Sequence, residues 1–454
     1  MSLEKKLRRE IFTTSRLLEF CSQRELVNQT GHAAVDWPLV VLKELVDNAV
    51  DACEEAGAAP VISVAVENGK IVVTDNGPGI APKVVRDILD YNVRVSSREA
   101  YVSPTRGAQG NALKTVIAMP FALSIDGETL IESKGVAHRI AFAADPIRQQ
   151  PKIEYVRGDS VVKNGTRITT PMAVSACSKP AEVKSRFLQI ARGFGWLNPH
   201  LALTVAWDGE RAHMAPSNAA WEKWRPSDPT SAHWYTEQRL GRLMAAYVAK
   251  ELDSKREPRT VREFVSEFRG LSGSLKQRSV LEEVDASRLS LRAFFGDGNH
   301  RHAAKLLAAM QKHTRPVAPK DLGRIGEDHL RARFVDAGAD PKTFKYSREF
   351  VVEEGLPMVV EMAFGFCPKG DEREIVTGVN WSPAINNPFR KLGPYGESLD
   401  TYLAQQRASL HNEPITLLIH LASPRVDFTD RGKTAIALHG THAEEENEEE
   451  NDAT

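Results

Sequence analysis

The sequence predicts an α/β protein: helices layered on a mixed, largely antiparallel sheet, followed by a small helical unit and a second α/β unit. Three observations predict it. Short β-rich runs bounded by turn residues alternate with amphipathic helical runs over residues 38–207, helical patterns alone dominate residues 235–311, and strand and helix patterns alternate again from about Pro316. A chain of 454 residues is also too long for one core, and domains of about 150 residues would make roughly three units.

Taken in order, residues 1–37 read as a helical arm, with Leu3, Leu7, Ile11 and Phe12 at helical spacing. Pro38 suits the first turn of the long helix that follows. After Gly57, the runs Val61 to Val66 and Ile71 to Thr74 flank Asn68-Gly69, the signature of a tight hairpin. A short helix is expected from Pro82 to Leu89 and another after Gly110. Strands are expected at Phe121 to Ile125, Thr129 to Ser133, Val136 to Phe142, Ile153 to Val156 and Thr166 to Thr170. A helix and the strand Ala202 to Ala206 close the first unit, and 208 to about 234, rich in Pro, Ser and Trp, reads as an irregular connector. The last unit opens on the helix IGEDHLRARFVDAG, continues through strands at Glu349 to Val352 and Met358 to Phe364 and a helix at Ser398 to Arg407, and ends on the strand ITLLIHLA, Ile415 to Ala422. The expected units are therefore an arm (1–37), a first α/β domain (38–207), a connector with a helical domain (208–315), a second α/β domain (316–439) and an acidic tail (440–454).

Composition excludes several classes. With 42% hydrophobic and 26% charged residues, the chain reads as a soluble globular protein. No apolar run reaches the ~20 residues of a bilayer span, and MSLEKKLRRE lacks an apolar signal core, so the expected location is the cytoplasm, with no membrane. Cys21, Cys53, Cys177 and Cys367 are dispersed without CxxC spacing, which argues against a disulfide framework or a zinc site. His300 and His302 at a helix start read as a polar cap, and Trp207, Trp221, Trp224 and Trp234 as packing in the connector rather than base-stacking platforms. The segment Glu444 to Asp452 holds seven acids and is expected to be disordered; setting those seven charges aside turns the net charge of −1 into +6. That mildly basic body permits contact with DNA without requiring it.

The chemistry-bearing residues begin in KELVDNAVDAC, Lys43 to Cys53. Glu44, Asn48 and Asp51 form one polar row on a helix whose opposite stripe is Val41, Leu42, Leu45, Val46, Ala49 and Val50. Alone, such a row is either a solvated face or an active-site face. DNGPGI, Asp75 to Ile80, follows one hairpin later at a strand end, where Gly77 and Gly79 allow close approach to a flat ring and Asp75 can accept a hydrogen bond from an exocyclic amine. RGAQGNALKT, Arg106 to Thr115, places Gly107 and Gly110 before a helical run whose free amides suit an anion. It is not a P-loop, because Ala108 and Leu113 occupy the two glycine positions counted back from Lys114-Thr115. NGTRITT, Asn164 to Thr170, sets Gly165-Thr166 at a strand start.

Together these four elements resemble the nucleotide site of the GHKL superfamily of ATPases, with its Bergerat-type fold. The resemblance implies ATP and Mg2+ as cofactors. It implies that Glu44 is the general base orienting water, that Asn48 binds Mg2+, and that Asp75 receives the adenine amine with Thr166 supporting it through water. Gly107, Gly110 and the amides of Asn111, Ala112 and Leu113 would wrap the phosphates, and Asp51, Gly77, Gly79, Arg106, Gln109 and Lys114 complete the implied cofactor-binding set. Within the superfamily the chain resembles the B subunit of type IIB topoisomerases over most of its length. GWLNPHLALTVAW looks like the end of that subunit's ATPase domain, TVREFVSEF lies where it has a helix-two-turns-helix domain, and PVAPKDLGRIGEDHL resembles the entry to its transducer domain. In PRVDFTDRGKTAIAL, Pro424 to Leu438, the family's lysine that reaches into the ATP site of the same protomer would be Lys433. The resemblance implies an ATP-dependent homodimer that acts as a clamp on DNA alongside a separate cleavage subunit. No DxD-like setting surrounds any of the eight tyrosines, so no cleavage nucleophile is visible here. The lid departs from the family pattern, GAQGNALK standing where GQQGIG is usual, which brings it closer to MORC-like lids. A standalone DNA clamp of MORC or defence type and a chaperone-like ATPase are the alternatives.

Overall fold

The computed structural model describes residues 20, 22–91, 101–106, 112–145, 150–172, 179–254, 257–296, 300–370, 373–389, 414–429 and 435–436. The arm before residue 20, Gly107, Gln109, Gly110, Asn111, the helix expected at Ser398 to Arg407, Lys433 and the acidic tail lie outside them.

The first unit begins with α1 (Gln23–Thr30), capped by the Ser22 hydroxyl, which accepts from the Glu25 amide at 3.2 Å. Then comes α2 (Trp37–Glu55), with Pro38 in its first turn. The hairpin β1 (Val61–Glu67) and β2 (Lys70–Thr74) turns through Asn68 (φ 49°) and Gly69 (φ 68°), the left-handed pair that a two-residue turn requires. It is followed by α3 (Pro82–Ile88), α4 (Ala112–Ala122), β3 (Thr129–Ser133), β4 (Val136–Asp145), β5 (Gln150–Asp159), β6 (Thr166–Pro171), α5 (Pro180–Leu197), β7 (Ala202–Trp207) and β8 (Glu210–Met214). These strands form one sheet in the order β5-β4-β3-β6-β2-β1-β7-β8. Its β1–β7 contact is parallel and the others antiparallel. Period-two burial of β1 sends Ile62, Val64 and Val66 inward, under Leu39, Leu42 and Val46 of α2 and Phe187 and Phe194 of α5. Each such aliphatic side chain contributes about 1.5–3 kcal/mol.

Five helices follow: α6 (Glu237–Ser254), α7 (Val261–Ser266), α8 (Ser274–Glu283), α9 (Leu291–Phe295) and α10 (His300–Lys312). Thr260 and Glu263 close a capping box on α7. After α11 (Glu327–Asp336) come β9 (Lys345–Glu353), β10 (Leu356–Phe366), β11 (Glu374–Val379), the two-residue β12 (Ser382–Pro383) and β13 (Ile415–Ala422). They form a second sheet, β12-β11-β13-β10-β9, in which β11–β13 is parallel. One contiguous core joins the helical segment to this sheet: Phe264, Phe268 and Leu306 belong to the same cluster as Leu330, Val359 and Leu418.

The expected α/β architecture is present, with three differences in detail. Phe121 to Ile125 is not a strand, because α4 runs through Pro120 to Ala122 and closes by Leu123 N–H donating to Met119 O (3.0 Å) and Ile125 N–H to Pro120 O (2.9 Å). β8 lies inside the stretch expected to be irregular, and β11 was not anticipated. Trp207, Trp224 and Trp234 are buried, in line with packing rather than base stacking. His302 stacks on Phe294 and bonds its carbonyl at 2.6 Å, and among the described residues no group of three or more His, Cys, Asp or Glu could hold a metal ion. No helix among the described residues is long and apolar enough to cross a membrane.

Candidate nucleotide-binding site

The site is built where β2 ends. Thr74 pairs with Arg167, and the ladder continues one step further as the Asp75 amide donates to Thr166 O at 2.9 Å. The chain then turns back, and Asp75 Oδ1 accepts from the amides of Gly77 (2.8 Å) and Thr166 (3.1 Å). Burial pushes the Asp75 carboxyl above its ordinary range, and these bonds only partly offset that. The result is a carboxylate of fixed orientation, partly stripped of water.

The glycines are required here. A Cβ on Gly165 would fall 1.9 Å from Asp75 O, and one on Gly79 (φ 74°) 2.6 Å from Ser133 Oγ. Ser133 Oγ donates to Gly165 O (2.9 Å) and accepts from Ile80 N–H (2.9 Å), pinning the DNGPGI loop to β3. On its other side the loop packs on α2, where a Cβ on Gly77 would lie 3.4 Å from Cys53 Sγ and 3.6 Å from Ala52 Cβ. Asn76 locks that contact: its Oδ1 accepts from Val61 N–H (2.8 Å) and the Cys53 thiol (3.3 Å), and its Nδ2 donates to Ala59 O (2.9 Å). Burial next to Asp75 pushes the Cys53 thiol up to about 12. Asp75, Gly77, Gly79 and Thr166 are thus brought together beside α2, on which Glu44 is half-buried and Asn48 exposed.

Asp51 and Arg106, both expected in the cofactor-binding set, are paired with each other in the interior. Arg106 Nη1 meets Asp51 Oδ1 at 2.5 Å and Glu54 Oε2 at 2.8 Å, and Nη2 meets Glu54 Oε1 at 2.8 Å and also Asn198 Oδ1. Arg106 is 4% and Asp51 2% exposed, so each is occupied by the other inside the protein. Burial raises the Glu54 carboxyl, but Arg106 and Lys223 (2.9 Å) outweigh it and hold it well below its ordinary value. His200 Nε2 lies 3.1 Å from the same carboxylate. Lys114 is also buried: its ammonium donates to Asp90 O at 2.7 Å over the Tyr91 ring. Ala112 and Leu113 open α4, where the first amides of the helix are the ones expected to face an anion.

Sequence reasoning missed Asn76, Ser133, Glu54, Asn198, His200 and Lys223. Asn76 sat in plain view inside DNGPGI, whereas the other five act through contacts remote in sequence.

A helix bearing Glu and Asn thus lies beside a strand-end Asp that a Gly-Thr amide also clasps, and residues 35–169, which contain these elements, match the histidine kinase-, DNA gyrase B-, and HSP90-like ATPase family. Over 88% of its length the chain is similar to the B subunit of the type 2 DNA topoisomerase 6 of Archaeoglobus fulgidus, at 28% identity. The corresponding B subunit from Methanosarcina mazei is also 28% identical over 88% of this chain. The chain spans 66% and 65% of the lengths of those two relatives. Among solved structures, the 43K ATPase domain of Thermus thermophilus gyrase B aligns over 92% of this chain and 85% of that one, with 14% identity and a TM-score of 0.34. That superposition is loose.

Proposed function

We propose that this protein binds and hydrolyses ATP with Mg2+ and works as an ATP-gated dimeric clamp on DNA, in the manner of a topoisomerase VI B subunit paired with a separate cleavage subunit. The observation that carries the reading is Asp75 Oδ1, held by the Gly77 and Thr166 amides at 2.8 and 3.1 Å against the helix that bears Glu44 and Asn48. A carboxylate so clasped presents its remaining acceptor capacity in one direction, as recognition of an exocyclic amine demands. Glu44, half-buried on the same helix, would be the base that orients water. Asn48 offers an exposed side-chain oxygen, which suits an ion that keeps one protein ligand and takes the rest from phosphates and water. When bound, Mg2+ would neutralise charge on the phosphates. Lys433, outside the described residues, is the proposed cation for the terminal phosphate. Gly107, Gln109, Gly110 and Asn111, also outside them, are proposed as the phosphate-wrapping lid, with the amides of Ala112 and Leu113.

The test is Glu44→Gln in the full chain. Steady-state hydrolysis is expected to fall by about 10²–10⁴-fold, while a non-hydrolysable analogue binds as in the wild type. Retained hydrolysis removes Glu44 from its role. A wild-type chain that binds no adenine nucleotide overturns the reading as a whole.

A further inference from the structure

The second sheet meets the first unit along β11 and β12, where Arg192 pairs with Glu374 and the turn Asn380-Trp381 between the two strands reaches in. Val379 pairs with Ser382 across it, and both turn residues are left-handed, at φ 50° and 62°. Asn adopts that conformation readily; a buried Trp does so only where its surroundings over-determine it. The surroundings belong to both units: within the second sheet Asn380 Oδ1 accepts from Ser423 N–H (2.9 Å) and the Trp381 amide donates to His420 Nε2 (3.1 Å), and the remaining contacts cross to the first unit and the connector. Asn380 Nδ2 donates to Thr105 O (3.3 Å), the residue before Arg106. Trp381 O accepts from Asn198 Nδ2 (2.9 Å), and Asn198 also bonds Arg106. The Trp381 indole, fully buried, lies 5.0 Å beneath the Lys223 ammonium. Ser382 Oγ donates to Asp47 Oδ2 (2.7 Å), which also meets Lys43 Nζ at 2.7 Å.

Lys43 and Asp47 flank Glu44 on α2, and burial of the Lys43 ammonium is outweighed by Asp47 and Glu44, which raise its pKa. Asn380 therefore touches Thr105, beside Arg106, and Ser382 touches Asp47 on the turn of α2 that carries the proposed base, while Trp381 between them reaches Asn198 and Lys223. The joint is also tight in its apolar part, since a Cβ on Gly378 would meet Leu197 Cδ1 at 2.4 Å and one on Gly193 would meet Pro383 Cβ at 3.0 Å.

We infer that Asn380 and Ser382 are positioning residues for nucleotide turnover: the turn holds Thr105 and the Glu44 turn of α2 in one register. The inference rests on the ATP-site reading above. Both side chains act through others, Asn380 through Thr105 and Ser382 through the Lys43–Asp47 pair, and neither is assigned to the nucleotide. Because the buried ion pairs and the turn have shared partners, a change on one side is felt on the other.

The test uses the full chain with Asn380→Gly, which keeps the left-handed backbone, Ser382→Ala, and the hydroxyl-retaining Ser382→Thr. Expected is a fall in kcat for ATP of about 2- to 30-fold in N380G and S382A, with unchanged affinity for a non-hydrolysable analogue, and recovery of kcat in S382T relative to S382A. Unchanged kcat in both N380G and S382A overturns the inference. So does a joint loss of kcat and affinity that tracks a drop in melting temperature, because it assigns the turn to packing alone. Absence of nucleotide binding in the wild type overturns the site reading itself, an outcome separable from either of these.

Discussion

Asp75 shows what a single residue can reveal in sequence. DNGPGI announced a turn no regular element tolerates, with an acid at a strand end, and the structure places that acid with two backbone amides on Oδ1. What could not be read was the clasp itself, since Thr166 lies 91 positions away. Nor could the burial of Asp51 and Arg106: a helical row of Glu44, Asn48 and Asp51 looks uniform until Arg106 arrives from a loop and takes Asp51 inward. Asp75→Asn keeps the shape but replaces a charged acceptor by an amide. A hydrogen bond to a charged group is worth about 1.5–3 kcal/mol, so ATP-analogue affinity should fall by about 10- to 100-fold, as read by calorimetry. The raised Asp75 pKa adds a sign. As pH falls, the carboxyl takes up its proton earlier than an ordinary aspartate does, so wild-type affinity should decline on the acid side while the D75N variant stays flat. Equal pH dependence in both proteins would remove Asp75 from the site.

Elements were legible where their pattern was local. The hairpin β1–β2 and the strands β3 and β13 stand where alternation or an apolar run put them. β8 is a polar edge strand, exposed along nearly all of its length, and so lacks the alternation that betrays a strand. β11 draws its stability from a parallel partner some 40 residues on, a long-range pairing that no local window contains. Glu361 on β10 shows how such long-range pairing is held. Its carboxylate accepts from the Ile325 (2.8 Å) and Gly326 (2.9 Å) amides and Tyr346 Oη (2.7 Å), tying the segment before α11 to β9 and β10, and His420 of β13 lies 3.4 Å away. Burial pushes this carboxyl up, but His420 and the hydrogen bonds outweigh it and hold it down at about 2. A depressed carboxyl contributes stability that is present above its unfolded value of 4.5 and is lost as pH falls towards the folded one. Denaturant midpoints of the wild type should therefore drop between pH 4.5 and pH 2, and Glu361→Gln should be less stable at neutral pH and show a shallower drop. A parallel decline in both would mean that Glu361 is not the group responsible.

At the scale of the whole molecule, the sequence reading placed a nucleotide unit at one end and an α/β unit at the other, but not the joint between them. That joint is a charge-balanced interior in which Lys43, Arg106 and Lys223 face Asp47, Asp51 and Glu54, sealed by a turn from the second sheet. Removing one partner from such a lattice leaves an uncompensated buried charge, and the second sheet is tied to it through the hydrogen bonds of Asn380, Trp381 and Ser382. A ligand shifts an assembly equilibrium only by its differential affinity for the two states. If ATP favours the associated state while ADP does not, the lifetime of the dimer is set by hydrolysis. Two arms make this testable by light scattering or sedimentation at fixed protein concentration. A non-hydrolysable analogue with Mg2+ should raise the wild-type mass from one chain to two. ATP itself should do so only transiently in the wild type, but durably in Glu44→Gln, where the bound nucleotide outlives the measurement. An unchanged mass under saturating analogue would sink the clamp. Doubling that is equally stable with ADP would leave a dimer but remove the gate, because a state indifferent to the terminal phosphate cannot be switched by its loss.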